Sequence, residues 1–265
     1  MTSAEIGCIM KLKDRKAKPP KILLYGEPGS GKTALALTLG EGAFLMDFDD
    51  GLQTGLSLDD DHRSNRVEID YEPFYEDDPK KGIAYRQGKI ALMKIVNEVN
   101  SGKWKHRALI IDSLTTMVDG CVRFILGNTN RIGSTLQLQE WGIMIAEVEQ
   151  LMVLLRSLPI VIVLIAHQHH YEMDGKSKTE IAIPCKKLPG KISSYFDEVW
   201  QMDKKSLSGG KVDYIVRTKG SGSVMARSRG SLEDGLSANL GLPELLKRIG
   251  YDWSANDAGT VKTKR

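Results

Sequence analysis

The chain has 265 residues, of which 41% are hydrophobic and 27% are charged, and its formal net charge is +3. This length suits one large domain with a sizeable core, and no apolar run approaches the ~20 residues that a membrane-spanning helix needs. The N-terminus is charged where a secretory signal needs an apolar segment, and Cys8, Cys121 and Cys185 are too widely spaced for a zinc site or a disulfide framework, so we expect a cytoplasmic protein without a membrane partner.

Charge is distributed unevenly along the chain. Residues 41–78 contain thirteen acidic residues and two arginines, whereas residues 176–229 contain twelve basic residues and five acidic ones. The net charge is too small to argue for nucleic acid, but such a division can place a basic face opposite an acidic one. Solvated loops without a partner are the alternative interpretation.

The first elements follow from the apolar pattern. Residues 1–20 are predicted to form a basic arm, because Pro19 and Pro20 cannot continue a helix. Apolar strands then alternate with amphipathic helices. Strands are predicted at residues 21–25, 43–48, 108–111 and 160–166, and helices at residues 33–40, 84–99 and 141–155. Strands that are apolar throughout and alternate with helices are typical of a parallel sheet covered on both faces, which is an α/β fold.

The last third of the chain has a different pattern. Residues 195–202 and 212–218 flank the turn signal Ser208-Gly209-Gly210, which predicts a β-hairpin that extends the sheet. We therefore expect one domain at residues 21–241, followed at residues 242–265 by a C-terminal helix and a flexible tail.

The segment GEPGSGKT lies between the first predicted strand and the first predicted helix and matches the Walker A pattern. In such a loop the backbone N–H groups point at the β- and γ-phosphates, Lys32 bridges them and Thr33 binds Mg²⁺. A glycine-rich turn without a ligand is the alternative. The predicted nucleotide-binding residues are Gly26, Glu27, Pro28, Gly29, Ser30, Gly31, Lys32, Thr33 and Ala34.

A carboxylate at the end of a nearby apolar strand would complete a magnesium site. The run Leu109-Ile110-Ile111-Asp112 supplies one, so Asp112 is predicted to hold the metal together with Thr33, and Ser113 to hydrogen-bond beside it. The chain has no Asn-Lys-x-Asp segment of the kind that reads guanine. ATP and Mg²⁺ are therefore the expected cofactors.

The order of six segments resembles RecA-like P-loop ATPases, and within them the small phage ATP-binding proteins linked to single-strand annealing and recombination. The segments are GEPGSGKT, FLMDFDDG, ALIIDSL, VLIAHQ, PGKISSYFDEVW and VMARSRG, within roughly residues 20–230. The resemblance implies a RecA-like P-loop NTPase core, with a mostly parallel twisted sheet, helices on both faces and a C-terminal β-hairpin extension. It also implies a phage protein in the cytoplasm of a bacterial host.

The same resemblance assigns catalytic roles. In RecA-like enzymes the strand after the phosphate-loop helix ends in an acidic residue that orients the attacking water, which implies Asp49, with Asp50 in reserve. A helix cap or loop carboxylate is the alternative for Asp49. A polar sensor of the γ-phosphate follows the later strand, and either His167 or Gln168 fits that position.

RecA-like proteins bind DNA through the loop after the sensor strand, which corresponds here to residues 171–188. A second loop, near residues 127–137, follows the metal-binding strand. Basic side chains would contact the backbone phosphates and Tyr171 would stack on a base. The residues expected to contact DNA are Arg131, Tyr171, Lys176, Lys178, Lys186 and Lys187. Mobile surface loops without a ligand are the alternative for both segments.

Related ring and filament ATPases carry a basic pair on a late strand that reaches the nucleotide of a neighbouring subunit. The resemblance therefore implies a homo-oligomer, as a ring or a filament, with Arg227 and Arg229 near the γ-phosphate in trans and Arg229 as the arginine finger. A solvated edge strand is the alternative.

Together these features predict a Mg²⁺-dependent ATPase that binds single-stranded DNA and supports annealing, recombination or repair, with a single-strand DNA-binding protein or a replisome component as candidate protein partner. A nucleotide-gated adaptor or loader of a replication complex, with little DNA-stimulated hydrolysis, is the second hypothesis. A small-molecule kinase is disfavoured, because no arginine-rich lid is evident in the sequence.

Overall fold

A computed structural model describes residues 18–52, 68–76, 78, 82–173 and 175–254 of the protein. Most of the predicted basic arm, including Cys8, and the end of the predicted tail lie outside these residues. No helix in the described ranges is both long enough and apolar enough to cross a membrane.

The described chain alternates strands and helices. The strands are β1 (Lys21–Gly26), β2 (Ala43–Asp47), β3 (Asp70–Pro73), β4 (Ala108–Asp112), β5 (Val161–Met173), β6 (Lys176–Ile181), β7 (Glu198–Ser206), β8 (Val212–Arg217), β9 (Arg227–Ser228) and β10 (Leu236–Ser237). The helices are α1 (Lys32–Leu37), α2 (Ile83–Asn100), α3 (Leu114–Asn128), α4 (Leu138–Ser157), α5 (Leu188–Ser194) and α6 (Gly241–Arg248).

One sheet organises the domain, with the strand order β10-β8-β7-β1-β5-β4-β2-β3. The pairs from β7 through β1, β5, β4 and β2 to β3 are all parallel, whereas β7–β8, β8–β10, β7–β9 and β5–β6 are antiparallel. The predicted α/β class, with a mostly parallel sheet and a C-terminal hairpin (β7–β8), is confirmed. The carboxyl ends of β1, β2, β4 and β5 meet at one edge, where parallel sheets bind their ligands.

The sheet separates two apolar cores. Alternate residues of β1 point to opposite faces, so Leu23 and Tyr25 pack with α2–α5 whereas Ile22 and Leu24 pack with α1 and α6. Every residue of β1 is buried, as expected of a central strand with helices on both faces.

The C-terminal helix α6 belongs to the domain core. Leu242, Leu245 and Leu246 are fully buried against the α1 side of the sheet, and the Trp253 indole N–H donates to the Leu39 carbonyl over 2.9 Å. The domain therefore extends to Trp253, beyond the boundary predicted at residue 241.

Two segments that were expected to be loops contain regular secondary structure. Helix α3 occupies residues 114–128, so that only residues 129–137 remain of the loop expected near residues 127–137. Residues 171–173 and 176–181, expected as part of a loop, form instead the end of β5 and the antiparallel strand β6. The candidate DNA-contacting segment is thus a β-hairpin, called here the β5–β6 hairpin.

Candidate nucleotide-binding site

The phosphate loop, residues 26–33, connects β1 to α1 and needs glycine at defined positions. Gly29 and Gly31 have φ angles of 70° and 87°, in the left-handed region that favours glycine. A Cβ atom at Gly26 would lie 2.5 Å from the Met202 carbonyl oxygen and 2.6 Å from Ser30 Oγ. Ser30 Oγ is itself buried and has no hydrogen-bond partner in the described part of the chain. The loop therefore has the tight glycine turn and an available polar group of a phosphate cradle.

Lys32 provides a buried cation at this loop. Its Nζ donates to the carbonyl oxygens of Gly26 at 3.0 Å and Glu27 at 2.8 Å. Burial lowers the pKa of Lys32, while the charges of Asp112 and Asp49 oppose that shift. An ammonium group held among acceptors at the start of a helix is suited to bind phosphate.

The predicted metal ligands are in direct contact. Thr33 Oγ1 donates to Asp112 Oδ2 over 2.6 Å, and Asp112 is 3% exposed. Burial raises the pKa of Asp112 to about 7, the charges of Asp49 and Asp47 add to the rise, and the Thr33 hydrogen bond and Lys32 oppose it. A hydroxyl and a buried carboxylate are hard oxygen donors of the kind that Mg²⁺ prefers, so these residues fit the ion.

Replacing Asp112 by asparagine is expected to stabilise the protein at pH 8 when Mg²⁺ is removed by EDTA. The pKa of Asp112 rises from 3.8 to about 7 on folding, so its contribution to stability is complete below pH 3.8 and is lost as the pH approaches 7. The neutral amide of asparagine still accepts a hydrogen bond from Thr33. Relative to aspartate, asparagine should gain free energy of unfolding on the order of 1.4 kcal/mol for each pH unit between 3.8 and about 7. Urea unfolding from pH 5 to pH 8 measures this difference.

The addition of Mg²⁺ and ATP is the matched test of the metal assignment for Asp112. It should raise the unfolding midpoint of the wild type and leave that of Asp112→Asn unchanged. Identical pH dependence of unfolding in both proteins would contradict the pKa shift, and equal stabilisation by Mg²⁺ and ATP would contradict the metal assignment.

Asp49, the predicted water-activating residue, lies beside this pair. Its Oδ1 accepts from Ser113 Oγ at 3.0 Å and its Oδ2 lies 2.9 Å from His167 Nε2. Burial favours the protonated form of Asp49, but hydrogen bonds from His167, Thr116 and Ser113 outweigh it and hold the pKa of Asp49 below its ordinary value. Asp49 is therefore an ionised carboxylate, which is the state a general base requires.

Asp47 is a buried carboxylate beside Asp112, and it was not singled out from the sequence. It stands directly opposite Asp112 in the β2–β4 ladder and is 1% exposed. Its oxygens accept from the Tyr75 hydroxyl at 2.6 Å and from the Asp49 backbone N–H at 3.1 Å. Burial raises the pKa of Asp47. Asp50, the reserve for Asp49, is exposed, with a φ of 54°.

His167 and Gln168 occupy different environments. His167 faces Gly26 in the β1–β5 ladder, and its ring contacts Asp49. Gln168 accepts from Gln201 Nε2 at 3.1 Å, and its own Nε2 lies 3.0 Å from His170 Nε2. Of the two sensor candidates, His167 is the one in contact with Asp49.

The β5–β6 hairpin also touches the phosphate loop. His170 Nε2 lies 3.2 Å from Glu27 Oε1, and His170 Nδ1 lies 2.8 Å from Thr179 Oγ1. A chain of polar contacts therefore links Glu27 in the loop, through His170, to β6.

The residues expected to contact DNA fall into two regions. Tyr171, Lys176 and Lys178 lie on the β5–β6 hairpin, and Lys186 and Lys187 are exposed just before α5. Arg131 lies elsewhere and is engaged within the chain. Its guanidinium donates to Glu140 Oε2 at 2.7 Å and to the Thr135 carbonyl at 2.8 Å, which ties the 129–137 loop to α4.

Arg227 and Arg229 lie away from the phosphate loop of their own chain. Arg227 pairs with Val199, near the amino end of β7, whereas Gly26 pairs with Met202 at the middle of that strand. The Arg227 guanidinium donates to two carbonyl oxygens over 2.6 Å each, and Arg229 forms a 2.8 Å ion pair with Asp197. A role for either arginine in the site of a neighbouring copy stays a prediction.

Comparison with known proteins bears on the site as a whole. A search of curated proteins found no match. Among the similar solved structures is flagellar accessory protein FlaH from Methanocaldococcus jannaschii, at 11% sequence identity and a TM-score of 0.45, covering 83% of this chain and 84% of that one. The family model described as "AAA domain" matches residues 18–230, which include the phosphate loop, Asp112 and His167. The chain therefore belongs to the AAA domain family, whose members are nucleotide-binding P-loop ATPases.

Proposed function

We propose that the protein is a Mg²⁺-dependent ATPase that binds single-stranded DNA and supports DNA annealing, recombination or repair. The observation that carries the proposal is that one strand, β5, contributes both to the nucleotide site and to the candidate DNA-binding hairpin. His167 in β5 contacts the carboxylate of Asp49, and the same strand continues into a hairpin with aromatic and cationic side chains.

The residues of the nucleotide site suit hydrolysis. The loop N–H groups and Lys32 would hold the phosphates, and Thr33 and Asp112 would hold Mg²⁺, which supplies charge neutralisation at the phosphate oxygens. Asp49 would accept the proton of the attacking water, since its hydrogen bonds keep it ionised. His167 fixes the orientation of that carboxylate through the 2.9 Å contact.

The β5–β6 hairpin suits single-stranded DNA. Directly paired residues of an antiparallel ladder share a face, so Tyr171 lies beside Lys178 on one face of the hairpin. His169 stacks on Tyr171 with ring centroids 5.9 Å apart and an interplanar angle of 14°, and Lys176 is exposed nearby on the same face. Aromatic rings next to cations are the elements that bind bases and phosphates without sequence preference.

The two sites lie on the same side of β5. His167, His169 and Tyr171 are alternate residues of one strand, so their side chains point to one face. The four residue steps from His167 to Tyr171 span about 13 Å of strand. DNA bound at Tyr171 would thus act on a strand that also orients Asp49, which predicts that DNA changes the rate of hydrolysis.

The test is ATP turnover by purified protein at low salt, with and without oligo(dT). We expect oligo(dT) to bind and to stimulate turnover several-fold. Turnover that DNA leaves unchanged, with no binding of labelled oligo(dT), would contradict the DNA part and favour a nucleotide-gated adaptor. Light scattering on the same solutions tests the proposed homo-oligomer, in which Arg229 would be offered to a neighbouring copy.

Variants of the β5–β6 hairpin test the individual contacts with DNA. Tyr171→Ala should weaken oligo(dT) binding by about 10-fold, because a stacked base contributes about 1–3 kcal/mol. Tyr171→Phe keeps the ring and should bind as the wild type does. Lys176→Ala should reduce the slope of log binding constant against log salt concentration by about 0.7, because it removes one contact with a phosphate of a single strand. Lys103→Ala, at an exposed lysine after α2, is the control and should change nothing.

A further inference from the structure

The hairpin formed by β7 and β8 lies directly against the phosphate loop. A Cβ atom at Gly29 would lie 3.3 Å from Lys204 Nζ, and one at Gly31 would lie 3.2 Å from the Tyr214 ring. Lys204 and Tyr214 are directly opposite each other in the β7–β8 ladder. Two glycines of the loop are therefore covered by one cross-strand pair of the same chain.

The charge of Lys204 is not compensated within the described residues. Asp203, the adjacent acid, forms an ion pair with Arg217 at 2.9 Å and accepts the backbone N–H of Lys204. No carboxylate in the described ranges pairs with Lys204 Nζ, and its side chain is exposed. As far as the described part of the chain extends, Lys204 therefore brings an uncompensated positive charge to the edge of the loop.

A second cation at a loop that already holds Lys32 is unfavourable without an anion. Lys204 Nζ lies at Gly29, whereas the Lys32 ammonium group lies at the carbonyls of Gly26 and Glu27 in the same loop, so the two like charges repel each other. A bound polyphosphate would remove this repulsion and gain a contact with both groups.

We propose that Lys204 is a second phosphate-binding cation of the nucleotide site, supplied by the same chain that supplies the phosphate loop. The proposal rests on the proposed nucleotide site and adds a residue to it. It differs from an arginine finger in trans, because Lys204 needs no neighbouring copy to reach the loop. Tyr214 acts as a positioning residue, since its ring packs on Gly31 beside the strand that carries Lys204.

The adjacent Lys205 offers a matched control. It is exposed, follows Lys204 in the same strand and stands opposite Asp213 in the β7–β8 ladder. Successive side chains of a strand point to opposite faces, so Lys205 faces away from the loop. Lys204→Gln and Lys205→Gln remove the same charge from the same strand, and neither alters the core.

The experiment measures the affinity of the full chain for mant-ATP in Mg²⁺ by fluorescence titration. Lys204→Gln should weaken binding by roughly 10-fold, which is the lower end of the range expected for the loss of one charge-assisted hydrogen bond. Lys205→Gln should bind as the wild type does. The difference between Lys204→Gln and the wild type should shrink as the salt concentration rises, and Lys204→Arg should restore most of the affinity. Unchanged melting temperatures show that the variants are folded.

Three outcomes would overturn the inference or its basis. Equal affinity of Lys204→Gln and the wild type would show that Lys204 does not contact the phosphates. An equal loss of affinity in Lys204→Gln and Lys205→Gln would show that the effect comes from the overall charge of the strand and not from a contact between Lys204 and the phosphates. Failure of the wild type itself to bind mant-ATP would contradict the nucleotide site, and is thus separable from a failure of Lys204 alone.

Discussion

Replacing Lys32 by alanine is expected to weaken ATP binding by roughly 100-fold or more, since each charge-assisted contact contributes about 1.5–3 kcal/mol. Lys32 is 5% exposed, and its ammonium group lies at the centre of the phosphate loop, where it donates to the carbonyls of Gly26 and Glu27. No other side chain within the described loop carries a positive charge. Titration with mant-ATP and steady-state turnover measure the loss.

The stability of Lys32→Ala separates binding from folding. Removal of a buried ammonium abolishes the desolvation cost that lowers the pKa of Lys32, while two hydrogen bonds to loop carbonyls are lost. These effects oppose each other, so the melting temperature without nucleotide should stay near that of the wild type. Lys211→Ala, at an exposed lysine in the β7–β8 hairpin, is the control. Unchanged turnover in Lys32→Ala would show that the phosphate loop is not part of the nucleotide site.

The apolar strands and the phosphate loop could be predicted from sequence because their signals are local. Strand β1 is apolar along its length and runs into a glycine loop followed by helix formers, so strand, loop and helix are each marked by neighbouring residues. The run that ends in Asp112 is likewise continuous, and the structure brings it to Thr33.

Helix α3 was missed although its start carries a local signal. Ser113 Oγ accepts the Thr116 backbone N–H at 3.3 Å, which is an N-cap. From its position in the sequence, Ser113 is predicted to hydrogen-bond beside the metal site, and both roles are compatible because the same hydroxyl also donates to Asp49. The buried positions repeat at helical spacing, at Leu114, Met117, Val118, Cys121 and Ile125.

Other features depend on pairing that a single sequence does not reveal. Asp47 becomes a candidate only because the β2–β4 register sets it opposite Asp112. The β5–β6 hairpin is polar on both faces, so it lacks the apolar alternation that marks a half-buried strand. Lys204 lies 175 positions after Gly29, and only the β1–β7 pairing brings their strands together.

The pKa values of the three carboxylates at the edge of the sheet are shifted in different directions, and this difference supports Asp49 as the proposed base. Burial raises the pKa of Asp112 to about 7 and also raises that of Asp47. Asp49 has its pKa lowered, because three hydrogen-bond donors outweigh its burial. Environments that push the pKa values of neighbouring acids apart are how one site assigns different roles to the same chemical group.

Replacing Asp49 by asparagine is therefore expected to leave ATP bound and to slow hydrolysis by about 100-fold or more, the usual contribution of a general base. The amide keeps an oxygen that can accept from Ser113 and stays close to the shape of the carboxylate, but it cannot take a proton from water. Stopped-flow binding and turnover from pH 5 to pH 8 measure both effects.

Asp50→Asn is the matched control for Asp49→Asn, because it makes the same change at the next residue. Asp50 is exposed, whereas Asp49 is held by Ser113 and His167, so only Asp49→Asn should lose turnover. Loss of nucleotide binding in Asp49→Asn would mean that Asp49 supports the shape of the site rather than the chemistry. Normal turnover in Asp49→Asn with a loss in Asp50→Asn would transfer the role to Asp50, and would also mean that the His167 contact does not mark the base.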